Sequence, residues 1–464
     1  MRSVRIGAGL GFYGDSWQPV LATLERGDVQ YIASDHLAEL TLAILQKDRA
    51  KSGADAGYTR DLLPMLTALW PAASKRGVKF LLNAGGLNPP AAAAALRAEF
   101  ARRGWPAKIA TVTGDAQLDH LDALIAAGEP LAHLDSGADI ATVRDRLVFA
   151  NAYLGARPLV DALAAGADIV ICGRVADAAL FMAPLIHEFG WAWDDWNRLA
   201  QALTVGHLLE CSGQGSGGNF NAYAPAFAGG WKGIPDYAHL GFPIAEVHAD
   251  GRALITKAPD TGGRVDFDTL RQQLLYEVHN PHRYISPDVI LDMGSIRLED
   301  LGGDRVKLSG ASGAPRPDKL KIVAGYEDGW AGSATIGYSW PQAVAKARTA
   351  EKIVRQLIAE RGLHYEEIHS ELLGLDSLLG PLADLSHADK LNEVYLRMVV
   401  RTPERKQAEA FPRLFPWLGL SGPPTASGFS GIEPARALLG LWPTLAAREL
   451  IEPGVQVELT EVAP

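Results

Sequence analysis

Cysteine is scarce in this chain. Only Cys172 and Cys211 occur among 464 residues, both inside apolar or helical patterns, so a disulfide framework is not expected and the cytoplasm is the natural compartment. No run of about 18 apolar residues is available to cross a bilayer. The opening Met-Arg-Ser-Val-Arg-Ile-Gly turns polar and Gly-rich too soon for a signal peptide. Basic charge is also in deficit, with 44 Lys and Arg against 54 Asp and Glu and a net charge of -10. Such a surface cannot displace counterions from nucleic acid, so no nucleic-acid or membrane partner is expected, and any anionic ligand must be captured locally. The usual catalytic signatures are missing as well: no G-x-S-x-G elbow, no Walker A loop and no Cys-His pair in recognisable context. No tandem repeat or block of like charge appears.

What is present is the alternation of an α/β protein. Short apolar runs at 4–6, 29–33, 78–82, 108–112 and 169–172 each end in Gly, Asn, Asp or His and are followed by a helical pattern, which predicts a mainly parallel sheet core flanked by helices. The polar residues cluster just past these runs: Asp35 and His36, Asn83 with Gly85, Gly86 and Asn88, Asp115, and Gly173 with Arg174. In a parallel sheet the strand ends share one edge, so these residues are expected to converge in one crevice. Turn propensity alone also supplies Asn, Asp and Gly at such places.

The densest stretch runs from Asn151 to Gly218. Arg174, after a strand ending at Cys172, offers a planar fork for a carboxylate or phosphate, and Asp177 can cap the next helix or orient that fork. On the helical pattern from Trp196 to Glu210, His207 and Glu210 share a face. They could be an acid/base pair, metal ligands or structural partners, and no second motif supplies the remaining ligands of a metal. The glycines from Gly7 to Gly14 are spaced G-x-G-x-G, which does not match a dinucleotide fingerprint. Residues 221–241 read as a long irregular segment of the kind used for lids or contacts.

From about residue 319 the order becomes strand 320–325, helix 341–361, strands 365–372 and 393–400, helix 404–414 and strand 455–462. This is the βαββαβ order of a ferredoxin-like α+β domain. The expected division is therefore an α/β core domain over 1–318 carrying the site and a C-terminal domain over 319–464, with a cut near Leu363 as the alternative. The second domain would serve assembly, because a four-stranded sheet leaves edges for a partner.

The chain resembles the bacterial acyclic terpene utilisation protein A family. The resemblance is carried by Asn83-Ala-Gly-Gly-Leu-Asn-Pro89, Gly114-Asp115, Asn151-Ala-Tyr-Leu-Gly-Ala156, Ala167-Asp-Ile-Val-Ile-Cys-Gly-Arg174, Gly206-His-Leu-Leu-Glu-Cys211 and Pro287-Asp-Val289. Family members often carry consecutive glycines after Gly-Pro near the carboxyl end, where this chain has Ser421-Gly-Pro-Pro-Thr-Ala-Ser-Gly-Phe-Ser-Gly431. The resemblance implies acyl-coenzyme A or branched carboxylic acid metabolism.

The combined expectation is a lyase or hydratase acting on a carboxylate or acyl-CoA thioester. Arg174 holds the anion with Asp35, Asn88 and Gly173 nearby, Asn83, Gly85 and Gly86 polarise the carbonyl, and His207 with Glu210 or Asp115 moves protons. No metal or other cofactor is expected. A homo-oligomer, with room for a small partner subunit, is. The alternative is a non-catalytic substrate-binding or scaffold subunit.

Overall fold

The computed structural model describes residues 2–221 and 233–463. Residues 222–232 of the irregular segment, Trp231 included, lie outside the described residues. The chain divides into two compact units, one comprising 1–142, 147–324 and 441–464, the other 143–146 and 325–440.

The larger unit is built on a ten-stranded sheet. At its centre are the five expected strands, β1 (Ser3–Ala8), β2 (Tyr31–Ser34), β3 (Lys79–Leu82), β4 (Ala107–Thr113) and β5 (Ile169–Cys172). They lie in the spatial order β1-β2-β3-β5-β4, all parallel. β2 and β5 are buried along their full length. Parallel strands covered on both faces read as unbroken apolar runs, which is why they were legible.

The sheet as a whole is mixed rather than mainly parallel. Outside β1 it continues antiparallel through Pro243–His248, Ala253–Lys257, Val306–Ser309 and Arg297–Asp300, and outside β4 it closes with Gln456–Val462, also antiparallel. Pro243–His248 opens with three buried apolar residues, the outer strands are more exposed, and together they cover both edges of the parallel core. The last of them corrects the expected architecture at the carboxyl end. The strand foreseen at 455–462 does not close a C-terminal sheet, because its seven residues pair in register with β4, from Gln456 opposite Thr113 to Val462 opposite Ala107.

Helices cover the sheet. Pro89–Arg103 starts where Asn88 Oδ1 accepts from Ala91 N (3.3 Å), with two prolines in its first turn, and ends at Gly104 in the left-handed region. Ala179–Phe189 and Trp196–Leu209 are buried along most of their length, so their sequences are apolar on nearly every face. No helix among the described residues is long and apolar enough to cross a membrane.

The smaller unit pairs Glu367–Leu373, Glu393–Thr402, the distal part of Lys319–Ser339 and the short Ala426–Ser427 in that order. Alternate residues Val394, Leu396, Met398 and Val400 pack with Ala343, Ala347, Ala350, Val354 and Ile358 of the helix Ala343–Glu360, period two meeting period 3.6. The helix expected over 404–414 shortens to Arg405–Ala410 and continues as a 3-10 turn through Phe411–Trp417, where Pro412 and Pro416 remove backbone donors.

Candidate active site

A cavity of about 1080 Å³ opens in the larger unit beside the carboxyl ends of β1, β2 and β5, lined there by Gly11, Asp35, Leu37, Glu39, Arg174 and Asp177. Tyr153, Glu210 and Lys321 complete its inner wall. A second chamber of about 240 Å³ shares Tyr153, Asp177, Glu210 and Lys321 with it and is otherwise mainly apolar, through Leu203, Leu320 and Leu445 among others.

Arg174 is the largest fully buried side chain, 1 % exposed. Its backbone N–H donates to Asp115 Oδ2 (2.8 Å), and Asn151 Nδ2 donates to the same oxygen (2.7 Å). A Cβ on Gly173 would stand 2.3 Å from that oxygen, so glycine is what lets the chain pass over Asp115. The guanidinium donates to Leu37 O and to Asp177 Oδ1 and lies 4.2 Å from the centroid of the Tyr153 ring. Its Nε is buried without a hydrogen-bond partner among the described residues.

Asp35 follows β2 and is buried beside Arg174. Its Oδ1 accepts from Asn83 Nδ2 and from Leu37 N (3.2 Å), while Asn83 Oδ1 accepts from His36 N (2.6 Å). Burial pushes the carboxyl up from the ordinary 3.8 to about 6, against the pull of Arg174 and Asn83 and with the help of Glu210. Glu39, one turn on, goes the other way. Burial would raise it, but the Tyr153 hydroxyl donates to its Oε1, as does Lys321 Nζ (2.9 Å), and these hold it down at about 2. One wall of the cavity thus carries a permanent carboxylate and the floor carries one poised near neutrality, the separation that divides roles between acids in enzyme sites.

The other expected residues take supporting places. Asn83, Asp115, Gly173, Gly85, Gly86 and Asn88 are not among the residues lining the cavity. The amides of Gly85 and Gly86 donate to Cys172 O and Asn83 O (both 3.1 Å), so neither is spare for a carbonyl oxygen. Asn88 caps its helix and its Nδ2 donates to Ala54 O and Ala56 O. Asp115 is buried with its carboxyl pushed up by desolvation, against the donation from Arg174 N and Asn151, and it braces the turn that carries Arg174. The Gly7–Gly14 loop is closed on itself in the same way. Gly9 N donates to Ala33 O, Leu10 N to Ser34 Oγ and Gly11 N to Asp15 Oδ2, so these amides do not face a phosphate.

His207 is 1 % exposed and does not line the cavity. Nδ1 lies 2.8 Å from Glu210 Oε1 and Nε2 3.2 Å from Leu274 O. Both neighbours are acceptors, so the ring is held as a donor at both nitrogens. Burial alone would lower its pKa, but the Glu210 charge and hydrogen bond and the Leu274 carbonyl outweigh it and raise it. Glu210, in contrast, lines both chambers. The geometry makes His207 the group that positions Glu210.

Sequence reasoning missed Glu39, Tyr153, Asp177 and Lys321 as site residues. Tyr153 lies inside the Asn151–Ala156 stretch, and Asp177, expected either to cap the next helix or to orient Arg174, accepts from the Arg174 guanidinium, while Glu39 sits in the first turn of its helix, where an acid is common. Lys321 comes from a distant strand and had no local signal. Asp61 was missed too. With His36 and Ser34 it forms a buried chain, Ser34 Oγ to His36 Nε2 at 2.9 Å and His36 Nδ1 to Asp61 Oδ1 at 3.3 Å. Ser34 is fully buried and its oxygen accepts from Leu10 N, so the chain braces the loop rather than presenting a nucleophile. Cys211 lines the cavity, but burial and the neighbouring Glu210 and Asp35 push its thiol well above the ordinary value, which leaves it protonated.

With this geometry in view, a family model for the acyclic terpene utilisation family protein AtuA matches residues 4–457. The chain belongs to this family. No curated protein and no solved structure matches the chain. The family match takes in every residue of the inner wall, from Gly11 to Lys321. Among the described residues no group of three or more His, Cys, Asp or Glu side chains could hold a metal ion.

Two expectations follow. The folded-state pKa of Asp35 lies above its unfolded value, so the unfolded chain loses this proton first and stability is lost as pH rises from about 4 to about 6. Asp35→Asn, which keeps an acceptor for Asn83 without the charge, is expected to be as stable as the parent at pH 4 and more stable by about 1–3 kcal/mol at pH 8. Denaturant titration at the two pH values checks it, and equal destabilisation at both would show Asp35 to be a stabilising carboxylate. His207→Ala strips the partners of Glu210 and Leu274 O and is expected to cost about 2–4 kcal/mol in the same assay. Unchanged stability would refute the positioning role.

Proposed function

We propose that the chain is an enzyme of lyase or hydratase type acting on a carboxylic acid or its coenzyme A thioester in branched-acid or terpenoid catabolism. The observation that carries this reading is Asp35, a buried carboxyl on a large cavity, raised to about 6 beside a buried Arg174.

In the hydratase direction water adds across a carbon–carbon double bond next to the carbonyl. Glu210 takes the water's proton as the C–O bond forms, and protonated Asp35 gives its proton to the carbon beside the carbonyl. The reverse direction breaks the C–O bond, returns a proton to Asp35 and releases water. Arg174, held in place by Leu37 O and Asp177, faces the negative charge that builds on the carbonyl oxygen between the two proton transfers. Glu39 stays ionised and keeps Tyr153 and Lys321 in position. This reading keeps Glu210 as a proton-transfer residue and puts Asp35 in the place expected for His207 and Asp115, because those two are engaged in hydrogen bonds away from the cavity.

Incubation with 3-hydroxy and 2,3-unsaturated acids and their thioesters in heavy water tests the reading by NMR. Deuterium is expected at the carbon beside the carbonyl, with the rate lowered by a factor on the order of 100 to 10,000 in Asp35→Asn. Exchange that persists undiminished in that variant, or is absent with every compound, contradicts it.

A further inference from the structure

We infer that the smaller chamber is the binding site for a hydrocarbon chain on carbon 3 of the acid, so that the enzyme selects 3-hydroxy or 2,3-unsaturated acids by the length of that chain. This rests on the carboxylic-acid reading and deepens it. Asp35 and Arg174 line the large cavity, whereas Tyr153, Asp177, Glu210 and Lys321 line both chambers and so mark the junction between them. A substrate with its carbonyl at Arg174 and carbon 2 at Asp35 brings carbon 3 to Glu210, where the water adds. Carbon 3 then stands at the junction, and its substituent continues into the smaller chamber.

The walls of that chamber suit a hydrocarbon. Leu203 stands one turn before His207 on the helix that leads to Glu210, and the Tyr284 ring packs on the His207 imidazole with centroids 5.2 Å apart. The wall that meets the chain and the carboxylate that moves the proton therefore share one support. Of the polar residues beside them, Ser286 donates to Val289 O (3.1 Å) and Lys319 to Glu129 Oε2 (2.7 Å), so filling the chamber with carbon leaves neither without a partner. A further wall is clasped from the carboxyl-terminal segment. Arg448 donates through Nη2 to Pro287 O (2.6 Å) and through Nε to Pro317 O (2.8 Å), both prolines line the chamber, and Leu445 reaches it from the same segment. Walls fixed in this way are preorganised for a ligand. An apolar cavity of about 150 Å³ takes a benzene-sized group, so the smaller chamber, at about 240 Å³, has room for roughly five to eight carbon atoms. Ile285 and Leu445 on its lining are exposed, so a longer chain runs out to solvent there and gains nothing further.

Steady-state kinetics of the full chain with 3-hydroxybutyrate, 3-hydroxyhexanoate, 3-hydroxyoctanoate and 3-hydroxytetradecanoate, each as the free acid and as its coenzyme A thioester, test this. The value of kcat/KM is expected to rise about fourfold per added methylene as far as 3-hydroxyoctanoate and to have levelled off by 3-hydroxytetradecanoate. With 3-hydroxyglutarate, whose carbon-3 substituent ends in a carboxylate, kcat/KM is expected to lie below that for 3-hydroxyoctanoate by a factor on the order of ten or more. Leu445→Trp narrows the chamber at its exposed side and is expected to lower the ratio of 3-hydroxyoctanoate to 3-hydroxybutyrate efficiency by a factor on the order of ten. A flat or falling series, a preference for 3-hydroxyglutarate, or an unchanged ratio in Leu445→Trp overturns the inference and leaves the carboxylic-acid reading standing. Turnover of none of these compounds removes that reading, and the inference with it.

Discussion

The burial of one carboxyl, Asp35, against one guanidinium, Arg174, is the constraint around which the larger unit is arranged. An ionised carboxylate taken out of water is costly unless it is paired and hydrogen-bonded. Here Asn83 and Leu37 N serve one oxygen and Arg174 lies nearby, which is not enough to return the group to its ordinary acidity. Arg174 in turn is fixed by three other segments and its own turn: Asp115 holds its backbone N–H, and Leu37 O, Tyr153 and the nearby Asp177 hold its guanidinium. A charge held from so many directions has little freedom to move, and catalysis by fixed dipoles needs that.

The parallel core explains why those segments meet. β2 delivers Asp35, β3 delivers Asn83, β4 delivers Asp115 and β5 delivers Arg174, all at one edge. They form two layers: Asn83, bonded to Asp35 and His36 N, and Asp115, bonded to Asn151 and Arg174 N, lie beneath, and Asp35 and Arg174 lie above on the cavity. His207 and Glu210 repeat the division on a helix, the buried imidazole holding the carboxylate that reaches the lining. The antiparallel strands next to β1 bring Phe242 and the loop residues Asp260 and Thr261 to the cavity lining, and otherwise widen the sheet.

The centre of the fold was legible because buried parallel strands write themselves as short apolar runs with a polar stop, and all five were readable from that pattern. Convergence at one edge was legible for the same reason. What a residue does once there was not, since Asp35 and Asp115 look alike in sequence and each accepts a backbone N–H, and they differ in that only Asp35 also lines the cavity. Glu39, Lys321 and the pairing of 456–462 with β4 depend on contacts across 282 and about 350 residues, for which no local pattern exists. The βαββαβ reading of the carboxyl-terminal third failed at its last strand because a strand's hydrophobic alternation says which face is buried and not which sheet accepts it.

The account stands on Asp35 carrying its proton close to neutrality. Carbon-13 NMR of the chain labelled at the aspartate carboxyl carbons, with the Asp35 signal assigned by its loss in the Asn variant, measures that directly. A midpoint near pH 6 is the result expected, and a midpoint at or below 4 would show an ordinary carboxylate and contradict the proton-transfer role.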